Sequence, residues 1–423
     1  MNTLPTESYK GVRDFYPEDM QIQKYIFDTW TNTSRSFGFE QYDASILEPS
    51  ALYKAKGAEN EEMVNDQTYS FKDRGGRDVT LRPEMTPTVA RMVAARSRDL
   101  THPVKWFSIP NLFRYERTQR GRLREHWQLN CDIFGAESLY ADIEIIQLAH
   151  SILIDFGASE DMFEIKVNNR LTMQKTYELL GIHNPEIISK VTRINDQKKK
   201  ISSEEYVSRL SDAVKDTGLA EEIKNVIESE DQGDNSVVTC LRELGIKNVS
   251  IDRSLARGFD YYTGTIFEVF DKSPDGSNRS MIGGGRYDNL TKLFNNDGIT
   301  GIGFGMGDVT MKDFLETHKL LPDSFYSKSI LHIITLEEKY AQYSLILAQK
   351  IRNLNTVIVK TDYTDRKIEK KIKAAHTQHA NYIVRYGENE HKSKTISLEE
   401  TATRKITVYT EDELIVFFKG KGT

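Results

Sequence analysis

Between Arg114 and Arg124, within RYERTQRGRLREHWQLNCD, five arginines stand against the single acid Glu116, a local charge of +4 in a chain whose formal net charge is −6. A solvated surface hairpin is the ordinary reading of such a run. Surface loops usually mix signs, however, and the planar guanidinium fork matches phosphate oxygens, so phosphate handling is the chemistry this cluster would serve. A second candidate is LARGFDYYTGTIFE, where Arg257 precedes a strand-like run with the adjacent pair Tyr261 and Tyr262. A tyrosine pair in a strand puts one ring in the core and one on the opposite face. An arginine beside phenolic hydroxyls also supplies the few fixed polar groups that a buried ligand site needs. GGGRYD at 283–288 reads as a glycine loop, which either lets backbone approach a ligand closely or simply turns. LRPEMT at 81–86 sets Glu84 and Thr86 at a strand exit, where a carboxylate binds an amine or merely faces water.

Several chemistries lack their residues. No G-x-x-x-x-G-K-S/T, H-E-x-x-H or G-x-S-x-G pattern occurs, so neither a Walker loop nor a zincin helix nor a nucleophile elbow is expected. His376 and His379 stand three apart without two further soft ligands, and the two cysteines, Cys131 and Cys240, form no C-x-x-C pair. Zinc and a disulfide framework are therefore not expected. At 38% hydrophobic and 28% charged residues, with a mean hydropathy of −0.53, the chain reads as a folded polar protein. No run approaches the roughly 20 apolar residues of a membrane span. The opening MNTLPTESYKGVRDFYPEDM shows no basic segment followed by an apolar one. The expectation is a cytoplasmic protein with no membrane partner.

The elements that must position these residues follow from periodicity. Ile22, Tyr25, Ile26, Trp30 and Phe37 recur at helical spacing after Pro17, and Gly38 stops the pattern. YDASILE reads as a strand, and QTYSFKDRGGRDVTLRP as two strands turning at Gly75 and Gly76. KWFSIPNLFRYE and QLNCDIFGAE read as another strand pair joined by the arginine hairpin, followed by a helix in ADIEIIQLAHSILIDFG. Residues 172–250 turn lysine- and glutamate-rich and helical, as an inserted module would. After a linker near 320–327, strands alternate with helices, the pattern of a small α/β domain with a largely parallel sheet. From Val359 to Lys394 that region carries a net +4, which suits contact with RNA phosphates.

The run Gly11 to Pro17, LRPE at 81–84, FRYERTQRGR at 113–122, RGFDYYTG at 257–264 and GGGRYD at 283–288 together resemble histidyl-tRNA synthetases, a class II aminoacyl-tRNA synthetase family. The motifs occur in the expected order over nearly the whole chain, and RGFDYYTG is close to diagnostic of histidine-specific members. The resemblance implies an α+β fold: an antiparallel catalytic sheet of six or seven strands in residues 1–171 and 251–320, a helical insertion in 172–250, and an anticodon-binding α/β domain in 328–423. It implies a ligase that uses ATP to make histidyl-adenylate and pyrophosphate, then passes histidine to the terminal adenosine of tRNA(His), in a homodimer.

Carried onto this sequence, the resemblance places the histidine amino group at Glu84 and Thr86, and the amino-acid pocket at Gln128, Asp132, Tyr261 and Tyr262. It places the α-phosphate at Arg114 and Arg257, with Glu116 and Arg122 also on ATP. The end of tRNA(His) falls to Arg117 and Gln119. Mg²⁺ arrives with ATP, and the second arginine partly replaces a metal ion. Two positions depart from the family pattern. Thr310 stands where an arginine usually stacks on adenine, and Ser45 stands where a proline usually feeds the dimer interface. The competing readings are a regulatory relative that senses histidine, such as the regulatory subunit of ATP phosphoribosyltransferase, and a non-catalytic RNA binder. The arginine hairpin kept together with RGFDYYTG, and the basic end domain, oppose the first; two phosphate-directed arginines and a tyrosine pair, which mere binding does not require, oppose the second.

Overall fold

The computed structural model describes residues 3–55, 67–198, 201–229, 235–256, 261–277, 279–294, 298–325 and 328–422. The chain divides into two units, Met1–Leu321 and Pro322–Thr423.

In the first unit, helix Pro17–Ser36 begins on a proline, carries Glu18 and Asp19 in its first turn and buries Ile26 and Trp30. Gly38, at φ +80°, lets the chain leave in the left-handed region. The strands are β1 (Glu40–Gln41), β2 (Leu47–Pro49), β3 (Tyr69–Lys72), β4 (Asp78–Leu81), β5 (Val104–Ser108), β6 (Asn111–Phe113), β7 (Glu125–Phe134), β8 (Phe163–Asn169), β9 (Val249–Ile251), β10 (Thr265–Asp271), β11 (Ser280–Arg286) and β12 (Gly301–Gly307). The main sheet runs β1-β5-β7-β12-β11-β10-β8-β9, with β6 also on β7. From β5 to β8 every neighbour is antiparallel, giving the expected six-stranded core, while β1 and β9 add short parallel edges. A separate sheet, β2-β4-β3, contains the hairpin turning at Gly76, φ +78°, whose N–H returns to Asp73 O at 2.9 Å.

One face of the main sheet packs on helices Pro17–Ser36 and Leu139–Asp155 through Trp30, Cys131, Ile133, Phe267 and Phe304. The other face carries Tyr261, Tyr262, Ile266 and Tyr287 and holds the site. Four helices, Arg170–Leu179, Pro185–Asp196, Ser203–Val214 and Thr217–Glu228, close on a core of their own around Tyr177, Val191, Tyr206 and Ile223. Helix Ser236–Glu243 instead buries Val237, Val238 and Leu241 in the core of the main sheet.

The second unit is a five-stranded sheet in the order β14-β13-β15-β16-β17, comprising β13 (Ile330–Thr335), β14 (Ile358–Asp362), β15 (Tyr382–Tyr386), β16 (Thr395–Glu400) and β17 (Ile406–Thr410). Only β14, β13 and β15 are parallel. The expectation of a largely parallel sheet thus fails at β16 and β17, which a short turn joins into an antiparallel hairpin without a crossover helix.

Candidate active site

Strand β7 crosses the centre of the sheet, and its alternation sorts its residues. Leu129, Cys131 and Ile133 enter the helix-side core, so Gln128, Asn130 and Asp132 share the opposite face. Across β12, Asp132 pairs with Gly303 and Asn130 with Gly305. A Cβ on Gly303 would fall 2.2 Å from Asp132 Oδ1, and one on Gly305 would fall 2.7 Å from Gln128 Cδ. The glycines clear the strip of sheet over which the polar side chains lie.

Asp132 is 2% exposed, and Tyr287 donates its hydroxyl to Oδ1, while Oδ2 has no hydrogen-bond partner among the described residues. Burial pushes this carboxyl up to about 7 against the pull of the Tyr287 hydrogen bond. Glu84 is likewise buried and accepts from the Tyr261 hydroxyl at 3.0 Å. The Tyr261 ring stands edge-on to Tyr287, centroids 6.0 Å apart, and tilts against Tyr262 at 4.9 Å. Two carboxylates are thus joined through two phenols along one wall. Thr86 opens helix Thr86–Ala95, half-buried, two residues past Glu84.

The tyrosine pair does not alternate as strand residues would. Both rings precede β10, are buried and belong to the same cluster. GGGRYD is not a loop either: its glycines lie in β11. A Cβ on Gly285 would fall 2.8 Å from Tyr262 Cδ1, and one on Gly284 would fall 2.3 Å from Gly303 O, so the run is needed for close packing on both faces of the sheet. Arg286 is a structural cation, its Nε donating to Asp142 at 2.8 Å in the interior.

The five hairpin arginines divide by partner. Half-buried Arg114 donates Nε to Pro83 O at 2.8 Å, next to Glu84. Arg122 lies 3.1 Å from the buried Glu116. Arg120 pairs with Asp313, and Arg124 lies 4.0 Å over the Tyr115 ring, with Nη1 donating to the Tyr9 hydroxyl. Arg117 is exposed, and Gln119 faces Arg122 across the hairpin tip. Solvated-surface and structural readings therefore suit Arg120 and Arg124, while Arg114 sits beside Glu84 and Arg122 pairs with the buried Glu116. Arg257 lies outside the described residues.

Thr310 turns its hydroxyl into its own helix, donating to Gly307 O at 3.1 Å. Ser45 Oγ accepts from the Leu47 N–H at 3.3 Å, ahead of β2. Two further residues that hold the site carried no chemical signature in the sequence. Fully buried Asp308 accepts from Arg13 at 2.7 Å, from Gln23 at 3.1 Å and from the Trp127 N–H at 3.0 Å, locking the segment after Gly11 onto β7. Tyr287 lay within a quoted motif, but nothing local marked its hydroxyl as the partner of Asp132. Beside them on β7, desolvation and then the Arg114 and Arg13 cations pull the His126 imidazole down to about 3, so it is neutral near pH 7.

A separate cavity of about 850 Å³ lies against helices Arg170–Leu179 and Pro185–Asp196, with Arg253 and Tyr262 on its wall. Among the described residues no group of three or more His, Cys, Asp and Glu side chains comes together to hold a metal ion, and no helix is long and apolar enough to cross a membrane.

Comparison with known proteins gives consistent findings. A family model described as histidyl-tRNA synthetase matches residues 11–308, and one for an anticodon binding domain matches residues 331–421. The histidine–tRNA ligase of Leptospira biflexa is 40% identical over 97% of both chains, and that of Thermoplasma volcanium is 37% identical over 98% of this chain and 99% of its own. The crystal structure of histidyl-tRNA synthetase from Nostoc sp. PCC 7120 superposes with a TM-score of 0.79 at 21% identity, covering 99% of this chain and all of that one, a likeness of fold.

Proposed function

Since the chain belongs to the histidyl-tRNA synthetase family and activates histidine with ATP for transfer to tRNA(His), we propose that the wall from Glu84 to Asp132 is its histidine pocket and the Arg114 hairpin its ATP site. The observation that carries this reading is the pair of buried carboxylates joined through Tyr261 and Tyr287. Glu84 holds the ammonium group with Thr86, and Asp132 takes the imidazole N–H on its second oxygen. Gln128 and Tyr262 complete the lining. An amine at one end and a ring N–H donor at the other suit histidine.

The histidine carboxylate is already a nucleophile, so no protein base is required at the first step. Its oxygen attacks the α-phosphorus in line and pyrophosphate leaves. Arg114, braced on Pro83 O beside the amine site, stabilises charge growing on the phosphoryl oxygens, and Arg257 is assigned the same task from the sequence. Glu116 and Arg122 steady the nucleotide from the hairpin. Mg²⁺ enters as part of the ATP substrate, where it typically keeps phosphate and water ligands. The adenylate then yields histidine to the terminal adenosine hydroxyl of tRNA(His), whose end meets Arg117 and Gln119 at the exposed hairpin tip.

The insertion expected at 172–250 narrows to the helices from Arg170 to Glu228, because helix Ser236–Glu243 and β9 pack with the main sheet. That sheet and its helices carry activation, and 328–423 bind the anticodon arm. Of the basic residues between Val359 and Lys394, Lys371 is committed to Thr335 O, Arg385 to Glu399, Arg366 to Asp362 and Lys392 to Glu388, while the exposed Lys367, Lys370, Lys373 and Lys394 suit RNA phosphates. A homodimer is supported by β2-β4-β3: Leu47, Pro49, Tyr69, Phe71, Val79 and Leu81 share one face by register, and Leu47, Pro49 and Phe71 are exposed. The working compartment is the cytoplasm. The deciding experiment is ATP–pyrophosphate exchange with each of the twenty amino acids. Histidine alone should support it, and exchange with another amino acid at a comparable rate would overturn the pocket assignment.

A further inference from the structure

Thr310 leaves the ATP side of the site without a cation at that position, and the surrounding residues show what stands nearby. A Cβ placed on Gly121, in the arginine hairpin, would lie 3.1 Å from Arg279 Cδ, 3.4 Å from Ser277 Oγ and 3.5 Å from Thr310 Cγ2. The stem of Arg279 therefore runs along the same hairpin backbone that Thr310 faces. Arg279 enters from the turn between β10 and β11, one residue before the strand that carries the glycine floor. It is half-buried, and no hydrogen bond or ion pair holds its guanidinium among the described residues. The charged groups facing it are Arg122 and Glu116, and Glu116 is already 3.1 Å from Arg122. Two guanidinium groups thus share one carboxylate in a partly desolvated corner, an arrangement completed by an anion with several oxygens. Desolvation and the neighbouring Arg122 cation both disfavour the charged form of Arg279, the signature of a cation without its counter-ion.

We propose that Arg279 binds the outer phosphates of ATP from the β10–β11 turn, placing a cation in a corner where Thr310 supplies none. The inference rests on the assignment of the hairpin as the ATP site. Arg114→Ala and Arg122→Ala test that assignment, whereas variants of Arg279 test only this one. A charge-assisted contact to phosphate is expected to matter by about ten- to a hundredfold. Arg279→Ala should raise the KM for ATP in histidine-dependent exchange by that factor and leave the KM for histidine unchanged. In the reverse reaction, the preformed enzyme–histidyl-adenylate complex should show a matching rise in the KM for inorganic pyrophosphate. Arg279→Lys should recover part of both effects, because a point charge keeps attraction and loses the fork. A rise for ATP without one for pyrophosphate would overturn the proposal in favour of contact with the base. Unchanged constants would also overturn it, as would a loss shared by histidine and unrelieved by lysine, which marks a structural role.

Discussion

At the amino-acid end of the pocket, Glu84 and Asp132 are 4% and 2% exposed, and each accepts a phenolic hydrogen bond from a tyrosine brought in by a distant segment. At the hairpin end, the side chains of Arg122 and Arg120 remain 47% and 57% exposed, and their partners are carboxylates. The first region is a dry wall on which Asp132 Oδ2 has no hydrogen-bond partner among the described residues, whereas the second is a wet cluster of forks. Burial makes an unmet hydrogen bond expensive, so with histidine seated as proposed the dry end would reject ligands that lack a ring N–H. Exposed forks discriminate poorly, but their charge is in place before the phosphoryl oxygens need it. Selectivity and rate are thereby assigned to different neighbourhoods.

The largest effect should come from the residue that touches both. On the proposed assignment Arg114→Ala removes a preorganised donor at the reacting phosphate, and such losses cost about 10²–10³ in rate. We expect kcat for exchange to fall by that amount while the KM for histidine holds. Arg114→Lys should remain impaired, since its single ammonium cannot both brace on Pro83 O and fork to phosphate. A fall confined to histidine affinity would place Arg114 with the amino-acid end and dissolve the distinction.

Asp132→Ala comes next. Leaving a buried polar group without its partner costs about 1–3 kcal/mol, or roughly ten- to a hundredfold in kcat/KM for histidine. The ratio of exchange with histidine to exchange with an analogue lacking the ring N–H should shrink, while the KM for ATP stays put. An unchanged ratio in a folded variant would show that another residue reads the ring.

How much of this was legible beforehand varies with sequence distance. The helix from Pro17 and the turn at Gly76 rest on neighbours a few residues apart, and their signals are local. Gln128 and Asp132 came from the family resemblance, with strand alternation explaining why they share a face. The bond from Tyr287 to Asp132 spans 155 positions and that from Arg13 to Asp308 spans 295, and no periodicity encodes such pairings. GGGRYD was misleading for a related reason. Its glycines answer to Tyr262, Phe267 and Gly303 across the sheet, so the pressure that keeps them small is invisible along the chain. Tyr261 and Tyr262 read as strand residues because aromatic residues favour strands, but burial in one cluster overrides alternation.

A pH experiment sharpens the dry end. In the free enzyme the Asp132 carboxyl is pushed up to about 7, and only its ionised form offers both oxygens as acceptors, Oδ1 to Tyr287 and Oδ2 to the ring N–H. kcat/KM for histidine should therefore rise as pH increases through that value. Tyr287→Phe deletes the hydrogen bond that favours the carboxylate, so the midpoint should move to higher pH. Titration of free histidine is the same for both proteins, so the difference between profiles belongs to the site. Superimposable profiles would remove Asp132 from the observed ionisation.

The smallest effect should come from Arg120→Ala, and its smallness is informative. Arg120 is anchored to Asp313 at 2.9 Å on the exposed flank of the hairpin, whereas Arg122 shares Glu116 with the corner occupied by Arg279. If individually positioned forks act on the nucleotide, losing Arg120 should leave exchange and thermal stability within experimental scatter, because exposed ion pairs contribute little. Arg122→Ala should then raise the KM for ATP several-fold under the same conditions. If the hairpin acts instead as one diffuse cationic field, the two variants should slow exchange equally, and added salt should erase both effects, since screening acts on exposed charge. Measuring both KM values at low and high salt decides between the alternatives. Equal, salt-sensitive losses would mean that hairpin charge, and not the partner of each arginine, sets the chemistry at the wet end.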